Sequence, residues 1–249
     1  MNAAIPVNVI PSSGLHQHQR LLPGKFESVG TTKRYRRDQE ICNQAQATDS
    51  WYRVTAGAAR KFVLLSNGRR QILDFLLAGD FFDDCELEEH DVVVEAVTEG
   101  TMVTRYLHRR VQEMAETDPE ILLEIRRISL EIMARLEELV LILGRTTALE
   151  KVGCFLLLMS QRSAIRHGDG VALPISRYDI ADYLGLSVET VSRSLTDLKH
   201  RGLIALLGTR QVKIIDRAAI ADGDFRPAGH SAIRAHPLSS VAYHSPKVS

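Results

Sequence analysis

The segment from Ile175 to Ile204, ISRYDIADYLGLSVETVSRSLTDLKHRGLI, constrains this chain more than any other. It reads as two short helices joined by a tight turn. Ile180 and Leu184 share one face of the first helix, and Val191, Leu195 and Leu198 share one face of the second. The two apolar sets can therefore bury each other. Ala181 is small enough to let the helices cross closely. Gly185 follows the first helix and takes a left-handed turn at no steric cost. Ser187 suits the N-cap of the second helix, with Glu189 in its first turn. Glu189, Ser192 and Arg193 stand at i, i+3 and i+4, so they project from one side.

This is a helix-turn-helix pattern, in which the first residues of the second helix enter a DNA major groove. Arg193 can hold guanine O6 and N7 together, Glu189 can accept from a cytosine amino group, and Ser192 can donate or accept. Ser187, Thr190, Lys199, His200 and Arg201 are placed for phosphates, which fix position without reading sequence. A plainer reading exists: Glu189 and Arg193 form an i,i+4 acid–base pair that would support any exposed helix. The segment that follows argues against it. LIALLGTRQVKIID, 203–216, has two β-rich runs around Gly208-Thr209 and reads as a hairpin. Directly after a recognition helix, a hairpin is the wing of a winged helix, with Arg210 and Lys213 within reach of phosphate.

Upstream, 118–144 carries one long helical pattern. Asp118-Pro119-Glu120 supplies a cap, a proline at the first position and an acid in the first turn. Ile121, Ile125, Ile128, Ile132, Leu136, Leu139 and Leu143 repeat at spacings of three and four, the seam of a nearly straight helix. Leu122, Leu130, Val140 and Leu141 widen the apolar surface. A helix apolar on more than one side implies two contacts, one to its own domain and one to a second copy, with the repeating seam as the dimer interface. Residues 145–166 add a further apolar-rich helix before the two-helix unit.

Residues 26–117 give short β runs between turns, among them 62–65 and 71–76 around Asn67-Gly68, then 92–94 and 102–103. That spacing predicts a jelly-roll β-barrel, and the whole chain an α+β fold. Residues 1–25 read as a flexible arm and 223–249 as a disordered tail. Zero net charge hides an asymmetry. Residues 145–222 hold 11 basic and 8 acidic residues, while 1–144 hold 17 and 22. The positive excess falls on the proposed DNA reader. Between Arg70 and Arg105 there is no Lys or Arg, only a run of acids that reads as a solvated surface repelled by DNA. Asp83, Asp84, Glu86 and His90 could instead surround a cation.

Three cysteines, Cys42, Cys85 and Cys154, show no metal-binding spacing, so no cofactor and no metal are expected. The chain has no apolar run near the roughly 20 residues that span a bilayer, and no secretory signal at its start. A cytoplasmic location and no membrane partner are expected.

The order β-roll, long helix, winged helix resembles the CRP/FNR family of bacterial transcription regulators over about 26–220. The sharpest stretches are GRTTALEKVGCFLL (144–157), the two-helix unit, and LLSNGRRQI with AGDFF (64–82). VETVSR resembles the FNR and FixK branch, whose recognition helices read E-x-x-S-R. The resemblance implies a homodimer through 118–143, TTGAT-type half-sites in an inverted repeat, and RNA polymerase as a partner in activation. It also implies a cyclic-nucleotide-binding-like β domain. However, Phe82 and Asp83 fall where nucleotide-binding members carry Gly-Glu, and 92–98 offers no Arg-Ser/Thr. No cysteine cluster like that of the oxygen sensors lies near the N-terminus, and Thr104 stands where a further cluster cysteine would fall. The FixK-like branch, which lacks both devices, remains. Two other readings stay open: a regulator gated by haem or a small molecule, with His90, His108 or Cys85 as ligand, and a cupin-type metal enzyme on the β-roll.

Overall fold

The computed structural model describes residues 29–43, 49–83, 91–162, 166–167, 170–172, 175–207, 211–223 and 225. The expected arm, Cys85, most of the expected tail, Arg210 and all but Asp83 of the candidate cation site lie outside them.

Among the described residues eight strands precede the first helix: β1 (Thr31–Tyr35), β2 (Glu40–Asn43), β3 (Ser50–Ala56), β4 (Ala58–Leu64), β5 (Arg70–Leu77), β6 (Phe81–Asp83), β7 (Val92–Ala96) and β8 (Thr101–Leu107). They form two antiparallel sheets, ordered β1-β8-β3-β6 and β2-β7-β4-β5. Alternation supplies the shared core, where Tyr52, Val54, Leu76, Val94 and Val103 are buried between the sheets. The Asn67-Gly68 signal closes the β4–β5 hairpin. Gly68 sits at φ +77°, and the Leu65 amide donates to the Arg69 carbonyl at 2.8 Å.

Helix α1 (His108–Thr117) then ends at Asp118, whose side chain accepts from the Glu120 amide and caps α2 (Pro119–Leu143). The face of α2 that meets the β-roll is the one that the sequence assigns to the dimer. Ile121 and Ile128 are each 1% exposed, packed with Phe81, Tyr106 and Val111, and half-buried Ile125 and Ile132 join them. Leu139 is buried as well. Ile121, Ile128 and Leu139 cannot form a seam with a second copy, because the chain itself already covers them, while Ile125 and Ile132 keep part of their surface open. Of the expected seam only Leu136 and Leu143 are exposed, beside Leu122, Leu123, Leu130, Met133, Val140 and Leu141. The first half of the repeat, Ile121 to Ile132, packs on the chain's own β-roll, and Leu139 joins the core around the helix that follows.

Helix α3 (Ala148–Arg162) is followed by β9 (Arg166–His167) and β10 (Gly170–Ala172), then α4 (Arg177–Leu184), α5 (Val188–His200), β11 (Ile204–Leu206), β12 (Gln211–Ile214) and α6 (Arg217–Ala221). The expected wing is β11–β12. It joins a four-stranded sheet, β11-β12-β10-β9, whose other half precedes the two-helix unit. Gly185 sits at φ +64° and nothing would touch a Cβ there. Gly185→Ala is therefore expected to cost only the left-handed backbone strain, about 1–2 kcal/mol, read as a shift in the denaturation midpoint.

The acids read as a solvated surface between Arg70 and Arg105 are in part structural. Asp74 accepts from Arg135 of α2 at 2.7 Å, and Asp80 accepts from Arg162 of α3 at 2.8 Å. Arg162 also donates to the Phe75 carbonyl at 2.7 Å. Burial works against the Arg162 charge, but Asp80 and Asp74 outweigh it and hold the guanidinium firmly protonated. The expectation of a solvated surface fails at these two acids because their cations come from far along the chain. Asp83 pairs with Lys61 at 3.6 Å.

Candidate nucleic-acid interface

Both helices of the two-helix unit start on strong local signals. The Ser176 hydroxyl accepts from the Asp179 amide at 3.1 Å, and the Asp179 carboxylate accepts from the Ser176 amide at 3.2 Å, a complete capping box. After Gly185, the Ser187 hydroxyl accepts from the Thr190 amide at 3.1 Å and caps α5. Val191, Leu195 and Leu198 then face inward onto Ile180, Leu184 and the Phe155 side of α3. What remains outward on α5 is Glu189, Ser192, Arg193, Thr196, Lys199 and His200, all exposed except half-buried Ser192.

Glu189 and Arg193 make no ion pair, so the i,i+4 pair that would merely brace the helix is not formed. The Glu189 carboxyl is held below its ordinary range by its own backbone amide and then by Ser187, so it is ionised at neutral pH. Four of the residues expected at phosphates have partners or burial of their own. Ser187 and Thr190 share a hydroxyl contact of 2.9 Å at the cap. Arg201 is turned to Asp197, at 2.7 and 2.9 Å, and to the Phe225 carbonyl, so its fork is engaged by its own domain. Lys213 is half-buried on β12.

Sequence reasoning missed Arg177. It is exposed in the first turn of α4 and its Nη1 donates to Ser192 Oγ at 3.3 Å, so it stands on the same surface as the base-reading residues. The signal was present: a cation in the first turn opposes the helix dipole, which favours anions there.

The opposite side of α4 is anchored. Asp179, buried, accepts from Arg60 of β4 at 3.1 Å and from Arg70 of β5 at 2.8 Å. Asp182 takes the Arg70 guanidinium at 2.8 Å. Phe75 packs on Tyr183 and Phe155, with ring centroids 5.1 and 6.0 Å apart. The two-helix unit is thus fixed to the β4–β5 hairpin through α4, and the reading side of α5 faces solvent.

Phe82 and Asp83 stand where the nucleotide-binding members carry Gly-Glu. Phe82 is buried and stacked on Tyr52 at 5.1 Å. Asp83 beside it is acidic, and β7 carries no arginine. His108, a candidate haem ligand, is held by Asp49 at 2.7 Å. Burial pushes the Cys154 thiol above its ordinary value, which leaves less of the reactive thiolate. Among the described residues no helix is long and apolar enough to cross a membrane.

Comparison with known proteins agrees with this geometry. Residues 32–118 match the profile of the cyclic nucleotide-binding domain, and residues 150–222 match that of the Crp-like helix-turn-helix domain. The nitrogen fixation regulation protein FixK of Rhizobium meliloti is 37% identical over 202 residues, 81% of this chain and 91% of the relative. The transcriptional activator protein FnrL of Cereibacter sphaeroides is 31% identical over 203 residues, 79% of this chain and 82% of the relative. The solved structure of FixK2 from Bradyrhizobium japonicum aligns with a TM-score of 0.70 at 36% identity, covering 80% of this chain and 98% of that one.

Proposed function

The chain belongs to the CRP/FNR family as a FixK-like, DNA-binding transcription activator, and from that premise we propose that it binds an inverted repeat of TTGAT-type half-sites as a homodimer. Arg193 reads a guanine, Glu189 a cytosine amino group, and Ser192 a neighbouring base, with Arg177 beside them. Lys199 and His200 hold phosphate. The dimer forms through the solvent side of α2, at Leu130, Met133 and Val140 with their exposed apolar neighbours. Two recognition helices then stand one DNA turn apart, about 34 Å. The protein acts in the cytoplasm with RNA polymerase, needs neither cyclic nucleotide nor metal, and catalyses no reaction. One observation carries this reading: Glu189 and Arg193 are exposed and unspent on each other, on the side of α5 away from the anchored α4.

The test is a titration of reduced protein, without added ligand, against a duplex carrying TTGAT and ATCAA and against a scrambled duplex at one salt concentration. Tight binding to the first alone is expected; equal weak binding to both would refute the readout. Arg193→Ala should lose about 1–3 kcal/mol on the specific duplex and flatten the preference at one guanine. Preference retained at every base in that variant would remove Arg193 from its assigned role. Lys199→Ala should instead weaken both duplexes alike and lower the salt dependence.

A further inference from the structure

A cavity of about 700 Å³ opens at the β1/β8 end of the sandwich, and no part of the function proposed above uses it. Tyr35, Tyr52 and Val103 supply its apolar and aromatic wall, and Lys33, Arg105 and Arg110 stand around it. No Asp or Glu is among the described residues that line it. None of the three cations pairs with a carboxylate of a described residue. Lys33 lies over the Tyr35 ring at 5.1 Å, and Arg105 donates to the Ser50 hydroxyl at 3.1 Å.

Two further features agree. Arg110 lies in the first turn of α1, where His108, Arg109 and Arg110 follow one another with no side-chain cap and no acid. His108 is held by Asp49 at 2.7 Å and Arg109 by Glu113 at 3.1 Å, which leaves Arg110 as the cation of this turn that faces the cavity. Tyr35 is 7% exposed, lines the cavity, and makes no hydrogen bond to a described residue. Burial pushes its hydroxyl above the ordinary value, so it stays a neutral donor. No described residue of 81–98, where family members that bind nucleotides hold the phosphate, is part of the wall.

We propose that this cavity binds one small organic anion with an aromatic or apolar body, the body against Tyr35, Tyr52 and Val103 and the anionic end held by Lys33, Arg105 and Arg110. The size fits a drug-sized ligand, since such sites span roughly 300–1,000 Å³. Unpaired cations around an aromatic wall select for charge as well as shape.

The probe is anilinonaphthalene sulfonate, an aromatic anion whose fluorescence rises in apolar surroundings, titrated into the full chain. Saturable binding of one molecule per chain is expected. The combined variant Lys33→Gln, Arg105→Gln and Arg110→Gln should weaken it at least about tenfold, because charged hydrogen bonds are lost. Thr31→Trp, an exposed change at the rim, should block it while leaving all three cations in place. Uncharged phenylnaphthylamine should bind weakly to every form. Circular dichroism and operator binding confirm that the variants are folded. Undiminished dye binding in either variant, or equal affinity for the uncharged analogue, would overturn the proposal.

Discussion

Asp179→Ala is expected to lower the unfolding free energy by about 3 kcal/mol, the lower end of the range for breaking a buried ion pair. The Asp179 side chain is 5% exposed and serves two structures at once. Within α4 it completes the capping box with Ser176, an arrangement worth about 1 kcal/mol. Across the domains it accepts from Arg60 and Arg70, which come from opposite strands of the β4–β5 hairpin. The loss stays at the lower end because neither arginine is orphaned: Arg60 keeps Glu95 at 2.7 Å and Arg70 keeps Asp182. The measurement is chemical denaturation of the full chain beside Ser176→Ala, which removes only the cap. A loss no larger than that of Ser176→Ala would mean that the two arginines contribute nothing to docking. A further outcome is informative: if the hairpin contact is what makes the two domains unfold together, Asp179→Ala should split one transition into two.

The helix-turn-helix was legible because its signals are local. A serine, a glycine in a left-handed turn, a second serine and apolar spacing all lie within about thirty residues of each other, and each acts on its own neighbours. The β4–β5 hairpin was legible for the same reason. What could not be read depends on residues distant in the chain. Asp74 and Asp80 look like surface acids until Arg135 and Arg162 arrive from α2 and α3. Phe62, Ile72 and Phe75 read as barrel positions, yet they join the core of the DNA-binding domain. Strands β9 and β10 are two and three residues long, too short for any alternation to show. Helix α1 does set Val111, Met114 and Ala115 at i, i+3 and i+4, but one such triplet is too short to stand out at the end of a β-rich segment. Arg177 carried a readable signal, a cation against the dipole, and only its contact with Ser192 gives that signal meaning.

The two faces of α2 show the same limit and separate two opposite outcomes. A glutamate at Ile128 would enter a cluster of Phe81, Tyr106, Val111 and Ile121 with no partner for its charge. The expected cost exceeds about 4 kcal/mol, enough to prevent folding of a marginally stable domain. Glutamates at Met133 and Val140 meet solvent instead, since these side chains are 55% and 67% exposed. Their effect on the isolated chain should stay within about 0.5 kcal/mol. Their effect on assembly should be large, because like charges would face one another across a symmetric interface. Sedimentation should then report a monomer for Met133→Glu with Val140→Glu. Affinity for the full inverted repeat should fall by at least about a hundredfold, the loss of linked binding at two half-sites, while affinity for a single half-site is kept. A folded dimer in that double variant would refute the exposed face as the interface. A folded, stable Ile128→Glu chain would refute the packing of α2 on its own β-roll, and with it the assignment of the two faces.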